Sequence, residues 1–326
     1  MSKIVKTKLV TLEIMLSNPV NVNSLYEQSQ IDYILSHTNS DHLAKSAILG
    51  TKIGRRVQSV GLQHCCDPFI DPVMHVTEID AFDYYFTTDD MSEKKFQEYA
   101  EVPYVSPCKV FQSPHFLQAV KQKTSSSRRS PSYPYERILY VPTKLSAVHT
   151  RYFNCMSYPI LWYLEYQKQL FDYFASLSSY QFVYKQPMIR TRFIKETVVP
   201  YLREKNYSNI TIETKSVVDC LRDADAVIMD RPTTAFFETL MSGLPVVALY
   251  PHFVSNMYDP KAFELFDKSF QPFASTQDAF EKIHEFLNSN PQKYIPRLNL
   301  TNRDIYAVLS QEKHIRSSQG KSDVPG

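Results

Sequence analysis

Arg231, Thr233, Thr234 and Glu238 stand close together in the segment DRPTTAFFETL, and their types suit an activated nucleotide. Ala226, Val227, Ile228 and Met229, just ahead, form a short apolar run of the kind buried in a parallel sheet. Asp230 then opens a turn at that strand's carboxyl end, where it ties down the chain. Thr233 or Thr234 would cap a helix over 235–241, stopped by Gly243. The free N–H groups and positive dipole of such a helix start favour a diphosphate. Glu238, about one turn in, could accept hydrogen bonds from a ribose. The alternative is an ordinary capped strand–helix unit that holds no ligand, with Glu238 an exposed helix carboxylate.

Other side chains fall at predicted strand ends. Lys185 closes the run 182–185, on the same sheet edge as Asp230, where a fixed cation would neutralise a leaving diphosphate. Gln186 follows it and could hydrogen-bond a phosphate or base. Arg231 could add a second cation or pair with Asp230 or Glu238. Thr143, after the strand 137–143, is a candidate phosphate contact, with Ser146 as a neighbour able to share the role. His252 lies just past the strand 245–250 and could face a base or sugar. His64 follows the strand 55–62 and precedes Asp67; either could act as general base on an acceptor hydroxyl. For each, a plain surface or loop role is the competing reading. Cys65 and Cys66 beside His64 and Asp67 are spaced too closely to wrap one tetrahedral metal ion.

The elements that must position these groups follow from periodicity. Strands are predicted over 31–36, 55–62, 83–87, 137–143, 182–185, 209–213, 226–229 and 245–250. Helices are predicted over 41–50, 91–100, 159–177, 192–205, 235–241 and 278–287, with a last one over 302–309. Asp89 and Asp90 are adjacent and read as the cap of the helix at Met91 rather than a metal motif. Residues 10–15 read equally as strand or helix. The repeating strand–helix order points to an α/β protein with parallel sheets. Residues 1–120 form an expected first domain, 121–136 a Ser- and Pro-rich linker, 137–312 a second domain and 313–326 a flexible tail. Arg128 and Arg129 in the linker could touch an anionic surface.

Bulk properties narrow the classes. The 326 residues carry a net charge of +2, so composition does not suggest a nucleic-acid partner. Five cysteines without metal or disulfide spacing suit a reducing cytoplasm. No apolar run reaches membrane-spanning length. Only six glycines are present, and neither a GxGxxG nor a P-loop is among them.

The stretch Asp223-Ala224-Asp225, Val227-Ile228, Asp230, Thr233-Thr234, Glu238, Gly243-Leu244-Pro245-Val246 resembles the donor-binding half of GT-B glycosyltransferases. It is similar in particular to bacterial surface-carbohydrate and CDP-glycerol-type polymer transferases. The resemblance covers residues 136–252 and marks the nucleotide side rather than the sugar. It implies two Rossmann-like domains with parallel sheets, the first reduced here. It implies a metal-independent transferase using a nucleotide-sugar donor in surface polysaccharide or glycoconjugate synthesis, with no resident cofactor. A glycan or lipid-linked acceptor, a cytoplasmic location and peripheral contact with the inner face of the cytoplasmic membrane go with it. Two departures stand out. Gln186 occupies the place of a family histidine, and Cys65 that of a glycine after His64. These leave two alternatives open: a polyol phosphotransferase or nucleotide-sugar epimerase on the same fold, and a non-catalytic subunit that binds a partner transferase.

Overall fold

The computed structural model describes residues 32–36, 48–52, 57–63, 79–80, 82–103, 105–113, 115–125, 133–143, 159–187, 198–232, 234–258, 264, 266–296, 308–309 and 311. The chain divides into two units, Met1–His115 with Asn299–Gly326, and Phe116–Leu298.

The first unit holds four parallel strands in the order β1-β2-β3-β4: Tyr33–Ser36, Gln58–Leu62, Tyr84–Thr87 and Lys109–Gln112. Helix α1, Asp90–Ala100, follows β3. Asp89 is its cap and accepts from the Ser92 amide, as expected from the paired aspartates. One face of the sheet packs Phe82, Tyr85, Phe96 and Tyr99 with Ile48. The other packs Val60, Tyr84 and Phe86 against Leu309, from the far end of the chain. The Tyr33 hydroxyl donates to the Leu309 carbonyl at 3.0 Å. β4 is not legible in the sequence because Lys109 and Gln112 leave only Val110 and Phe111 as an apolar run.

Gly61 in β2 is required by contact rather than by dihedral angle. A Cβ there would lie 2.4 Å from Tyr85 Cδ2 and 2.6 Å from Phe82 Cδ2, and both rings are fully buried. Gly61→Ala is therefore expected to destabilise the first unit by about 1–3 kcal/mol. Urea unfolding followed by hydrogen exchange in β3 would read it; an unchanged midpoint would mean that the two rings have room to move.

The second unit begins within α2, His115–Ser125, at Phe116. This helix occupies the first residues of the span 121–136, whose Lys, Ser and Thr content read as a linker; Val120 and Thr124 are buried on it. Six parallel strands follow: β5 Arg137–Val141, β6 Gln181–Lys185, β7 Ile210–Glu213, β8 Ala226–Met229, β9 Val246–Pro251 and β10 Phe270–Phe273. Their order is β10-β9-β8-β5-β6-β7. The chain thus builds outward from β5 through β6 to β7, returns to the other side of β5, and builds outward again through β8, β9 and β10. That is the doubly wound arrangement, with its reversal between β5 and β8. β10 was missed because Phe-Gln-Pro-Phe breaks the alternation; Pro272 is tolerated since the strand lies at the sheet edge.

Helix α3, Ile160–Ser176, covers one face of this sheet. Phe174 stacks on Phe182 at 4.2 Å, and Phe171 meets Tyr184 edge-on at 5.3 Å. Helices α4 (Val198–Lys205) and α5 (Val217–Cys220) precede and follow β7, and α6 spans Thr234–Ser242 after β8. Gly243 ends α6 with φ of 67°, the left-handed position for which glycine is suited. Helix α7, Thr276–Asn288, is capped by Ser275 and buries Ala279, Ile283, Phe286 and Leu287 at helical spacing. The predicted helix over 302–309 is described only at residues 308–309, which are helical, and that over 192–205 from Val198 onward. Residues 10–15, most of the 41–50 helix, Arg128, Arg129 and the tail lie outside the described residues.

Candidate functional site

In an open α/β sheet, ligands bind outside the carboxyl ends of the strands, where the strand order reverses. In the second unit that place lies between the ends of β5 and β8, at Thr143 and Asp230. Helix α6 opens there.

Asp230 is the centre of a buried polar network. Its side chain is 2% exposed. One carboxylate oxygen, Oδ1, accepts from the Thr143 amide and, at 2.8 Å, from the Thr143 hydroxyl. The other, Oδ2, accepts from the Tyr140 hydroxyl at 2.9 Å and from the Tyr163 hydroxyl of α3. Gln167, one turn further along α3, donates to Tyr163 Oη at 3.0 Å and to Tyr140 Oη at 3.4 Å. Burial pushes the Asp230 carboxyl up, while donations from Thr143 and Tyr140 pull it down. The structural role expected for Asp230 is thus far larger than pinning its own turn. Thr143, a candidate phosphate contact, spends both its amide and its hydroxyl on Asp230.

Lys185 is 6% exposed at the end of β6. Its ammonium donates to the Gln186 carbonyl and makes no ion pair among the described residues. Burial lowers its pKa, with the Cys220 thiol and Glu213 partly opposing. Gln186, at the same strand end, donates its backbone amide to Glu213 O at 2.9 Å.

Thr234 is the first residue of α6, and Glu238 sits one turn in on the half-exposed face. Its carboxyl makes no hydrogen bond or ion pair among the described residues. Burial pushes it up to about 7, with Lys123 of α2 pulling the other way. Lys123 itself pairs with Asp219 at 3.1 Å. A partly desolvated carboxyl without a partner is the kind of group found at binding sites. It also carries a pH signature. With a folded pKa above the unfolded value of about 4.5, the native state holds the extra proton, so stability falls as pH rises from about 4.5 through 7. Glu238→Gln should remove that slope and leave the protein more stable than wild type at pH 8, by on the order of 2 kcal/mol after allowance for solvent. Urea midpoints at pH 5 and pH 8 measure it; parallel pH profiles for the two proteins would contradict it.

Arg231 is half-buried directly after Asp230, and His252 is exposed in a 3-10 turn directly after β9. Thr143, Asp230, Arg231, Lys185, Gln186 and His252 all lie at the carboxyl edge of this sheet. His64, Asp67, Ser146 and Thr233 lie outside the described residues, as do Cys65 and Cys66.

An aromatic group at the same edge was not foreseen as surface. Trp162 is partly exposed near the start of α3. It stacks on Tyr166 at 5.5 Å and 2°, lies within 6.4 Å of Phe273, and meets Phe253 edge-on at 5.3 Å. Beside it, Leu161 is 82% and Phe253 55% exposed. In the first unit, a cleft of about 560 Å³ opens at the amino edge of the sheet, lined by Asp83, Glu101, Cys108 and Lys109. It is on the side opposite to where open sheets bind ligands. Burial pushes the thiols of Cys108 and Cys220 up to about 12 and 11, so both are protonated at neutral pH and poor nucleophiles. Among the described residues no group of three His, Cys, Asp or Glu side chains could hold a metal ion.

No family model and no curated protein matches the sequence. Solved structures do match the fold. A putative UDP-N-acetylglucosamine 2-epimerase from Listeria monocytogenes aligns with a TM-score of 0.55 at 14% identity, covering 94% of this chain and 79% of its own. The S. aureus MnaA–UDP co-structure aligns at 0.54 and 13%, covering 94% and 80%. An α,α-trehalose 6-phosphate synthase from Burkholderia multivorans aligns at 0.54 and 11%, covering 95% and 76%. The fold is GT-B-like. At such identities the likeness concerns architecture alone. Within the GT-B frame, the doubly wound second unit matches the Rossmann-like half expected from residues 136–252, and the four-stranded first unit is the smaller of the two sheets among the described residues.

Proposed function

We propose that the protein is a metal-independent glycosyltransferase that draws on a nucleotide-activated sugar and holds it at the second unit's strand reversal. The observation carrying this is a helix start at the switch point, with a buried lysine at a strand end of the same sheet edge and a half-buried carboxyl one turn into the helix, neither with an ion-pair partner among the described residues. A GT-B-like fold is the architecture of the matched nucleotide-sugar enzymes, and one of those structures holds UDP.

In this reading the start of α6 at Thr234, with Thr233 preceding it in sequence, meets the diphosphate, and Lys185 with Arg231 opposes its charge. Glu238 accepts from the ribose. Thr143 and Gln186 border the phosphates, and His252 borders the sugar or base. His64 or Asp67 takes the proton of an acceptor hydroxyl as its oxygen attacks the anomeric carbon. The bond to the nucleoside diphosphate breaks and its electron pair leaves with the phosphate oxygen, stabilised by fixed cations and dipoles. Surface polysaccharide or glycoconjugate synthesis, with a glycan or lipid-linked acceptor, is supported by the motif resemblance alone. Cytoplasmic activity and contact with the inner membrane face belong to the same proposal; no helix among the described residues is long and apolar enough to cross a membrane.

A panel of UDP, CDP, CMP, GDP and ADP in thermal shift tests the reading. One nucleotide at a hundredfold excess over its Kd should stabilise the fold by about 2.7 kcal/mol. Glu238→Ala should abolish that shift while the protein stays folded; a shift that survives the substitution would remove Glu238 from the ribose. No response to any nucleotide would favour a non-catalytic partner subunit. One observation favours a second enzymatic reading, epimerisation, because a matched structure carries that description. Product analysis with UDP-N-acetylglucosamine separates the two, since an epimerase returns an isomeric sugar nucleotide and a transferase releases UDP.

A further inference from the structure

Three different elements converge on the Asp230 carboxylate: β5 through Tyr140, the loop after β5 through Thr143, and α3 through Tyr163. Gln167 joins the two tyrosines from behind. The charged or titratable neighbours are Tyr140 and, on α3, Tyr163 and Tyr166, with Arg231 next in the chain. A buried carboxylate is costly to desolvate, and an apolar side chain of similar size often packs as stably. Holding the sheet together therefore does not by itself account for a carboxylate at this position. The direction of the bonds is informative. Two of these donors are the amide and hydroxyl of a single residue, Thr143, on the loop beside the switch point. A third comes from the second turn of α3, whose Tyr163 hydroxyl also lies 3.1 Å from the Thr143 carbonyl oxygen. Both polar backbone groups of Thr143 are thereby fixed by side chains from β8's end and α3.

We propose that Asp230 is the positioning residue of the donor site: through Thr143 and Tyr163 it clamps the β5 loop to α3 and so sets the strand-end spacing that a nucleoside diphosphate meets. The inference rests on the donor reading above. Asp230 does not touch the ligand in this scheme. It acts through Thr143, whose backbone it orients, and through α6, which begins four residues after it. The ligand class is a nucleoside diphosphate or its sugar ester, because an anion with two linked phosphates can span the Thr143 loop and the α6 start.

Two variants test the clamp. Tyr163→Phe removes one hydroxyl and keeps the ring; Asp230→Asn keeps the shape and halves the acceptors. The first readout needs no ligand. Amide exchange at Thr143, followed by NMR, should quicken at least tenfold in both variants. The second is the Kd for UDP by calorimetry, well below the melting temperature of each protein. It should rise about tenfold or more in both, while Tyr163→Phe melts within a few degrees of wild type. A melting temperature that drops with UDP affinity unchanged would make the network purely structural and overturn the proposal. Unaltered Thr143 exchange would overturn it equally. Wild-type protein that binds none of the nucleotides would instead sink the donor reading, and the clamp's role in it, before the variants are compared.

Discussion

Asp230→Ala is expected to lower the stability of the second unit by about 3–5 kcal/mol, the range for removing one partner from a buried charged network. The substitution leaves the buried Tyr140 hydroxyl and the Thr143 amide without their acceptor, while the Tyr163 hydroxyl keeps the Thr143 carbonyl at 3.1 Å. Each stranded donor costs about 1–3 kcal/mol, and relaxation of the Thr143 loop toward solvent recovers part of the sum. Asp230→Asn should cost less, since one amide oxygen still accepts. Trp162 is the chain's sole tryptophan and stands on α3 in this unit. Its fluorescence therefore reports unfolding of the second unit without contribution from the first. A midpoint shift in urea below about 1 kcal/mol for Asp230→Ala would mean that water reaches the network.

Lys185→Met should produce the opposite pair of changes: a more stable protein and loss of the nucleotide response. The residue is 6% exposed, and its ammonium meets a backbone carbonyl and no carboxylate among the described residues. Burial lowers its pKa, so the charged form costs free energy that an apolar side chain of similar length avoids. The gain at neutral pH is expected to be about 1 kcal/mol, given the partial compensation by Glu213. A site that holds a cation in readiness for a diphosphate trades stability for binding in this way. Loss of the cation should weaken nucleotide binding by about a hundredfold or more, in the range of a charge-assisted contact taken out of water. Retention of full affinity would show that Lys185 is a strand-end residue with no part in binding.

Much of the second unit could be read from the sequence because its signals are local. Gly243 stops α6 where the left-handed residue was expected, Ser275 and Asp278 open α7, and Val227 and Ile228 form a buried strand as their apolar run implied. β4 and β10 could not be read, since β4 has only Val110 and Phe111 between polar residues and Pro272 obscures an edge strand. The start of α2 was visible in Val120 and Thr124 only once its partners on α5 were known: Lys123 pairs with Asp219, and the Lys123 carbonyl accepts from Arg222 just beyond that helix. The site followed the same division. Strand-end positions for Thr143, Lys185, Asp230 and His252 follow from strand boundaries, so spacing located them. What each group touches does not. Tyr163 gives no sign in the sequence of a polar partner, yet its hydroxyl reaches Asp230 across 67 residues, with Gln167 behind it on Tyr163 and Tyr140, and only the closed sheet creates these pairings. The surroundings of Trp162 are hidden for the same reason: its neighbours Phe253 and Phe273 arrive from the far ends of β9 and β10.

The central claim is that a nucleotide binds at the strand reversal of the second unit. Hydrogen exchange with and without UDP, or with whichever nucleotide shifts the melting temperature, tests it directly. Slower exchange at Thr143 and across the first turn of α6, with little change in the first sheet's amino edge, is the predicted result. Protection confined to the cleft at Asp83, Glu101 and Lys109, with α6 unaffected, would contradict it.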